Sequence, residues 1–360
     1  MPTLPTHELD EMWREPPRGR ASDISLLALP GVEVLRSYLG SASALAPLAP
    51  IARLTGRRLV SAERGTVTYA IPKSGWLVSR KGRLHPGVLA FVADAALTGA
   101  VQSALPARTV CTTAELSMTF CGPPPEQGGT LTADARCIHV DDAMGLAEVF
   151  VRDEDGSLSA HGTSRTVVHP PIPEEVPLVA TEHAGEEPDA EAIPDPVSRP
   201  VTGAVGPLPG LEAMTGIEVL QSVCSGALPR PPVDRLFGIR LVQVEDSQVT
   251  FELPAHGWLA NEFGTVYGGV VGFLAKSAAS AAVQSVATRG TMYTALDMKV
   301  NFLRPVPPDG SEMTAVGTVV HRGRQLVIAS AEVSHQGRTV ALATGTTALA
   351  GNAGPSGAAR

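Results

Sequence analysis

Residues 83–103 read RLHPGVLAFVADAALTGAVQS, and this stretch decides how the chain folds. Val88, Leu89, Phe91, Val92, Ala95, Ala96, Leu97, Ala100 and Val101 cover every side of a 3.6-residue wheel. The spacing therefore predicts a helix buried nearly all round rather than one lying on a surface. Asp94, Thr98 and Gln102, at i, i+4 and i+8, share one polar stripe. A carboxylate on such a helix needs a reason, and any chemistry the helix does should run along that stripe.

Working outward, the stretch occurs a second time. Residues 266–285 read VYGGVVGFLAKSAASAAVQS, and the match continues well beyond the helix. Gly56 pairs with Gly238, Trp76 with Trp258, Gly87 with Gly269, Gln102 with Gln284, Phe120 with Phe302 and His139 with His321, each pair 182 residues apart. The outer parts follow with small shifts, as Gly31 does to Gly216. A period this long is a duplicated domain and not a solenoid, whose units run to about 20–50 residues.

Within each copy the order of elements repeats. A short helix (about 31–39, about 210–226) precedes a strand pair from Gly56 or Gly238, then the long helix, then four strand-like runs. These runs are expected at about 112–121, 129–140, 144–152 and 158–168, and at about 294–303, 312–321, 325–335 and 338–349. Alternation such as Leu116-Ser117-Met118-Thr119-Phe120 marks half-buried strands. The product is an α+β fold, an antiparallel sheet curled round one helix, made twice. The organisation reads as an N-terminal arm (1–30), repeat 1 (31–168), a linker (169–211), repeat 2 (212–350) and a tail (351–360).

The linker carries eight acids against Arg199 alone, so it holds −7 of the chain's −8. The two repeats are then almost neutral, which argues against nucleic-acid binding. Rich in Pro and acid and without periodicity, the linker reads as partly extended and solvated. No apolar run reaches about 18 residues and the N-terminus lacks a signal-peptide core, so the protein is expected in the cytoplasm and off the membrane. The four cysteines, Cys111, Cys121, Cys137 and Cys224, show no metal-ligand spacing and read as reduced thiols, with no metal site.

At this point the residues carry a resemblance. ANEFGTVYGGVVGFLAKSA, LDMKVNFLRPVPPDG and the run from Val319 to Leu349 in the second copy resemble the hot-dog acyl-CoA thioesterases of the phenylacetate-degradation type. HPGVLAFVADAAL and AELSMTFCGPP in the first copy are similar but more divergent. The resemblance implies a double hot-dog, in which one chain supplies what is otherwise a dimer. It also implies sites built across the two copies. One copy gives an Asn before the helix and a backbone N–H at the helix start; the other gives a helix Asp and a Ser or Thr on the next strand.

Carried over, the Asn position is Asn261 in the second copy and Ser79 in the first. The turn is Tyr267-Gly268-Gly269 against His85-Pro86-Gly87, the carboxylate Asp94 against Lys276, and the hydroxyl Thr112 or Thr113 against Thr294 or Ala295. Pro86 has no N–H to donate, and a protonated Lys276 has no lone pair. One complete set is therefore expected: Asp94 and Thr113 (or Thr112) with Asn261 and Gly268.

The expected activity is hydrolysis of an acyl-CoA thioester. Tyr267, Gly269, Thr98 and Gln102 would contact substrate, and Arg304, Arg322 and Arg324 would meet the CoA phosphates. No cofactor is expected beyond CoA as part of the substrate, and two chains are expected to pair as a homodimer of double hot-dogs. The other readings are a non-catalytic acyl-CoA-binding or regulatory protein, and a hot-dog hydratase or dehydratase.

Overall fold

The computed structural model describes residues 11–39, 48–180, 193–206 and 210–350. The first half contains α1 (Gly31–Arg36), α2 (Pro50–Thr55), β1 (Arg58–Glu63), β2 (Thr66–Pro72), α3 (Pro86–Ala104), β3 (Cys111–Phe120), β4 (Thr130–Val140), β5 (Met144–Arg152) and β6 (Leu158–Val168). The second half repeats the plan with α4 (Gly216–Cys224), α5 (Pro232–Phe237), β7 (Arg240–Glu245), β8 (Gln248–Pro254) and α6 (Gly268–Ser285). It continues with β9 (Met292–Ala295), β10 (Asp297–Phe302), β11 (Glu312–Arg322), β12 (Leu326–His335) and β13 (Arg338–Ala350).

This is a double hot-dog. All pairings are antiparallel, and the two sheets run into one another in the order β1-β2-β4-β5-β6-β3-β10-β13-β12-β11-β8-β7, with β9 on β13. The seam is β3 against β10, where Ser117 faces Lys299. Those two positions are equivalents at the repeat spacing, so a local two-fold axis passes between them. In α3, long and apolar enough to cross a membrane, every residue except Pro86, Thr98 and Ala104 is buried by the wrapped sheet and the second half.

The helices α3 and α6 pack on each other and, with the β3–β10 seam, join the halves. Phe91 lies edge-on to Tyr267 at 4.9 Å and to Phe237 at 5.8 Å, and Phe273 meets His85 at 4.5 Å. Phe91, Phe237 and Phe273 have no exposed surface. Burying each contributes about 1.5–3 kcal/mol, so the halves share one core.

Three details differ from the sequence reading. Two short helices, α2 and α5, precede the strand pairs. Each starts on a proline and stops at a left-handed glycine, Gly56 or Gly238, both at φ +74°. The expected strand at 294–303 is split at Leu296, where the Asp297 carboxylate accepts the Thr346 N–H in place of a ladder carbonyl (2.7 Å). In the first half the corresponding place is a bulge between Thr113 and Glu115.

The third concerns the linker, of which residues 193–206 are packed against the first half. Val197 and Val201 lie where side chains on Gly56 and Gly75 would be, and the Trp76 indole donates to Arg199 O at 2.9 Å. The N-terminal arm does the same to the second half. Trp13 covers Gly238, Pro17 covers Gly257, and the Trp13 indole donates to Arg235 O at 3.0 Å. The segments leading into the two halves are thus exchanged. They meet at a two-pronged ion pair, with Arg199 donating to both oxygens of Glu15 at 2.7 Å. Apolar and ion-pair contacts outweigh the polar composition here, whereas the acid-rich residues 181–192 fall outside the described chain.

Candidate active site

A cavity of about 460 Å³ lies between the C-terminal half of α3 and the N-terminal end of α6. Asp94, Thr98, Gln102, Thr112 and Thr113 reach it from the first half, and Asn261, Tyr267, Gly268 and Arg304 from the second. Leu27, Val34, Leu35 and Tyr38, from the arm, α1 and the turn after it, also line it, as do Phe263 and Leu303, each about half exposed.

Asp94 is 2% exposed. Thr113 donates to its Oδ1 at 2.9 Å, and since the Thr113 proton is spent there, Thr98, 2.7 Å from Thr113, is the donor of the next bond. The bulge explains why this hydroxyl, and not its neighbour's, meets the carboxylate. An extra residue in the strand re-aims Thr113 toward α3 and leaves Thr112 exposed, 2.9 Å from His169. A Cβ placed on Gly268 would lie 3.3 Å from Asp94 Oδ2, so the helix start approaches the carboxylate at a distance that suits glycine. Burial raises the Asp94 carboxyl above its usual range; the hydrogen bond from Thr113, the nearby Tyr267 hydroxyl dipole, the Arg57 charge and the Gly269 N–H hold it back.

Tyr267 caps the start of α6 and reaches back across the interface. Its hydroxyl donates to Phe91 O at 2.8 Å, beside Asp94. The Asn261 side-chain oxygen is taken up by its own loop, accepting from Phe263 N (2.9 Å) and Thr265 N (3.1 Å), which leaves its amide NH₂ as the end presented to the cavity.

Other expected contacts fall differently. Gln102 is on the cavity wall, but its amide joins α3 to the start of β3, donating to Thr109 O (2.9 Å) and accepting from Cys111 N (3.1 Å). Arg304 stands at the rim with one nitrogen bound to Thr339 O at 2.5 Å. Arg322 and Arg324 do not line the cavity. They sit exposed at the β11–β12 turn, beside the C-terminal end of α6, where Val319 N meets Ser247 O and Ser247 N meets the Ser285 hydroxyl.

Sequence reading missed Arg57 and Glu262, an ion pair between the halves at the cavity wall. Arg57 is 4% exposed, and its guanidinium lies 5.3 Å from the Tyr69 ring and 4.8 Å from the Tyr267 ring. The signal was present in the repeat: Arg57 and Glu262 correspond to Ile239 and Arg80, so neither charge is shared between copies.

At the pseudo-equivalent place the chemistry is inverted. Lys276, 2% exposed, stands where Asp94 stands, and burial brings its amine down to about 8 against the opposing pull of Asp297. His85 accepts the Gly87 N–H at 3.1 Å; burial, with Lys276 nearby, lowers it to about 3, so it is neutral. Tyr293, the counterpart of Cys111, bonds Gln284 at 2.8 Å, over ground that in the first half is cavity. Lys81 covers its ring at 3.5 Å.

The family model described as "Thioesterase superfamily" matches the chain twice, over residues 81–160 and 263–342. Among solved structures the chain is similar to a protein of Novosphingobium aromaticivorans described as a thioesterase, at 14% identity and a TM-score of 0.51, covering 81% of this chain and 98% of that one. It is also similar to the tesB protein of Mycobacterium avium subs. paratuberculosis, at 12% identity and a TM-score of 0.51, covering 84% and 98%. A phenylacetic acid degradation-related protein of Ralstonia eutropha JMP134 aligns at 24% identity and a TM-score of 0.34, covering 36% and 98%. No curated protein matches.

Proposed function

We propose, from the match of the thioesterase superfamily model to each half of the chain, that the protein hydrolyses acyl-CoA thioesters at one composite site between its halves. The observation that carries this reading is the meeting of Asp94, on a helix of the first half, with the Gly268–Gly269 start of a helix of the second, at the wall of a cavity open to solvent. The thioester carbonyl takes the Gly268 N–H, at the positive end of α6, so charge developing on oxygen in the transition state is stabilised there.

Asp94 then acts in one of two ways. As a general base it removes a proton from water as the water oxygen bonds to the acyl carbon; the C–S bond breaks, and CoA leaves as a thiolate that takes up a proton. As a nucleophile it forms a mixed anhydride, releasing CoA, and water then hydrolyses the anhydride. Asn261 and the Thr98–Thr113 pair orient the water or substrate. Arg304, at the rim, is placed for a CoA phosphate. In either role Asp94 must be ionised. Because burial raises its pKa, activity falls as pH drops through a range higher than an ordinary aspartate would give.

The test is release of free thiol from short-, medium-, long-chain and aryl acyl-CoAs. Turnover of one or more supports the proposal. Binding without turnover of any leaves an acyl-CoA-binding protein, and loss of enoyl absorbance without thiol release leaves a hydratase.

A further inference from the structure

Asp94 and the groups proposed to face it sit on different halves, so something must fix one half against the other at this spot. We propose that Arg57 is the positioning residue of this site: clamped between the Tyr69 and Tyr267 rings and paired with Glu262, it holds residues 261–269 of the second half in register with Asp94 of the first. The inference rests on the reading of Asp94 and Gly268 given above.

Each partner of Arg57 in the second half is the chain neighbour of a site group. Glu262 follows Asn261, and Tyr267 precedes Gly268. The contact is therefore one charged bond, from Nη2 to Glu262, and one ring face, Tyr267, on the guanidinium plane, at the two ends of the loop that carries the amide and the helix-start N–H; a flat cation of this kind is what arginine supplies and lysine does not. Two backbone bonds close the same loop, one from the N-terminal arm, Ser22 N to Glu262 O at 2.8 Å, and one from the first half, Ile51 N to Ala260 O at 3.1 Å.

The other copy shows what the loop looks like without the clamp. Ile239, Arg80 and His85 occupy the corresponding positions, and no such pair forms among them. A buried arginine is costly to desolvate unless fully paired. Its presence on one side of the two-fold axis, the side with Asp94, is accounted for by the site and not by the fold, which both sides share.

The clamp also acts on charge. The groups facing Asp94 are Arg57 and Tyr267; around Arg57 stand Glu262, Tyr69 and Tyr38, and Cys111 and His169 line the same cavity. Arg57 is the buried cation among them and Glu262 offsets its charge, while Arg304 adds a second, exposed cation at the rim.

The test uses Arg57→Met, Arg57→Lys and the double variant Arg57→Met/Glu262→Met beside the wild-type chain. Thiol release is followed across pH, and the Asp94 carboxyl is titrated by carbon NMR without substrate, assigned through Asp94→Asn. In Arg57→Met, kcat is expected to fall by about 10- to 100-fold with KM within about threefold, as for a displaced reacting group. The acidic limb and the Asp94 titration should both move to higher pH. Arg57→Lys should restore the titration but not the rate. The double variant should exceed Arg57→Met in rate, because no unpaired Glu262 remains.

An Arg57→Met protein that keeps wild-type kcat and an unmoved Asp94 titration overturns the proposal. If that variant does not fold, wild-type kcat in Arg57→Lys does so instead. Should the wild type hydrolyse no acyl-CoA, the NMR titration alone decides: a shift in Arg57→Met keeps the clamp and removes the proposed function.

Discussion

The two ends of the α3–α6 pair began as copies of one design and now differ at nearly every polar position. Around Asp94 stand Thr113, Thr98, Tyr267, Arg57 and Glu262; the positions that correspond to them in the other copy hold Ala295, Ser280, His85, Ile239 and Arg80. The strand order, the helix pair and the exchanged segments are nevertheless repeated on both sides, save for the break at Leu296. Fold and chemistry have thus been maintained by different residues. The duplicated core holds both ends in shape, so one end could lose its polar set without cost to the other.

The comparison can be broken most sharply at its centre. Asp94→Asn should lower kcat by about 100-fold or more, read as thiol release, because the amide keeps the shape but neither takes a proton nor attacks the carbonyl. Gly268→Pro gives the Asp94 end the residue that the Lys276 end carries. Proline is tolerated at a helix start, so the protein should fold, while loss of the N–H should cost about 100- to 1000-fold in kcat. Gly268→Ala keeps the N–H and should be milder, limited by the approach of its Cβ to Asp94.

Cys111→Tyr copies Tyr293 into the first half. It should raise KM for bulky acyl groups by about tenfold while short ones are less affected, as a filled pocket end would require, each tenfold being about 1.4 kcal/mol of lost binding. Thr113→Ala should lower kcat by about tenfold and move the acidic limb to higher pH, since its hydrogen bond is among those that hold the Asp94 pKa down.

The smallest effect on rate belongs to Lys276→Met, which should change kcat by less than about twofold. Its effect lies in stability. The Lys276 amine titrates at about 8 in the folded chain against an ordinary 10.5, so between those values the unfolded chain binds more protons and stability rises with pH. Below about 8 the folded state carries the full cost of the buried charge. The methionine variant should therefore melt at a higher temperature than wild type at pH 7, and the difference should shrink as pH rises through this window. Equal melting temperatures at pH 7 would mean that Asp297 offsets the burial completely.

Much of this was legible in the chain because duplication supplies its own control. The register of 182 located both helices, and showed Asp94 against Lys276 and Gly268 against Pro86. The rest was hidden for identifiable reasons. The choice between Thr112 and Thr113 depends on a bulge, and alternation of side chains cannot reveal which residue of a strand lacks a partner. The short helices α2 and α5 were announced by Pro50 with Gly56 and Pro232 with Gly238, a start-and-stop pair too brief to show periodicity. Arg57 and Glu262 are 205 residues apart and meet only through the crossing of the halves. Gln102 fell on the expected stripe, yet its amide serves the backbone at the start of β3, a partner no stripe can show.

The exchanged entry segments have a consequence for the order in which the protein is made. Synthesis delivers the first half complete through β6 while the piece that covers Gly56, Gly75 and the Trp76 indole is still to come, some thirty residues later by the measure of Val197 and Val201. The second half has the opposite history, since Trp13 and Pro17 are already present before any of it emerges. The nascent first half must therefore wait with an uncovered patch for its own continuation, while the second half meets a ready-made lid, so the two copies, alike when finished, reach that state by different routes.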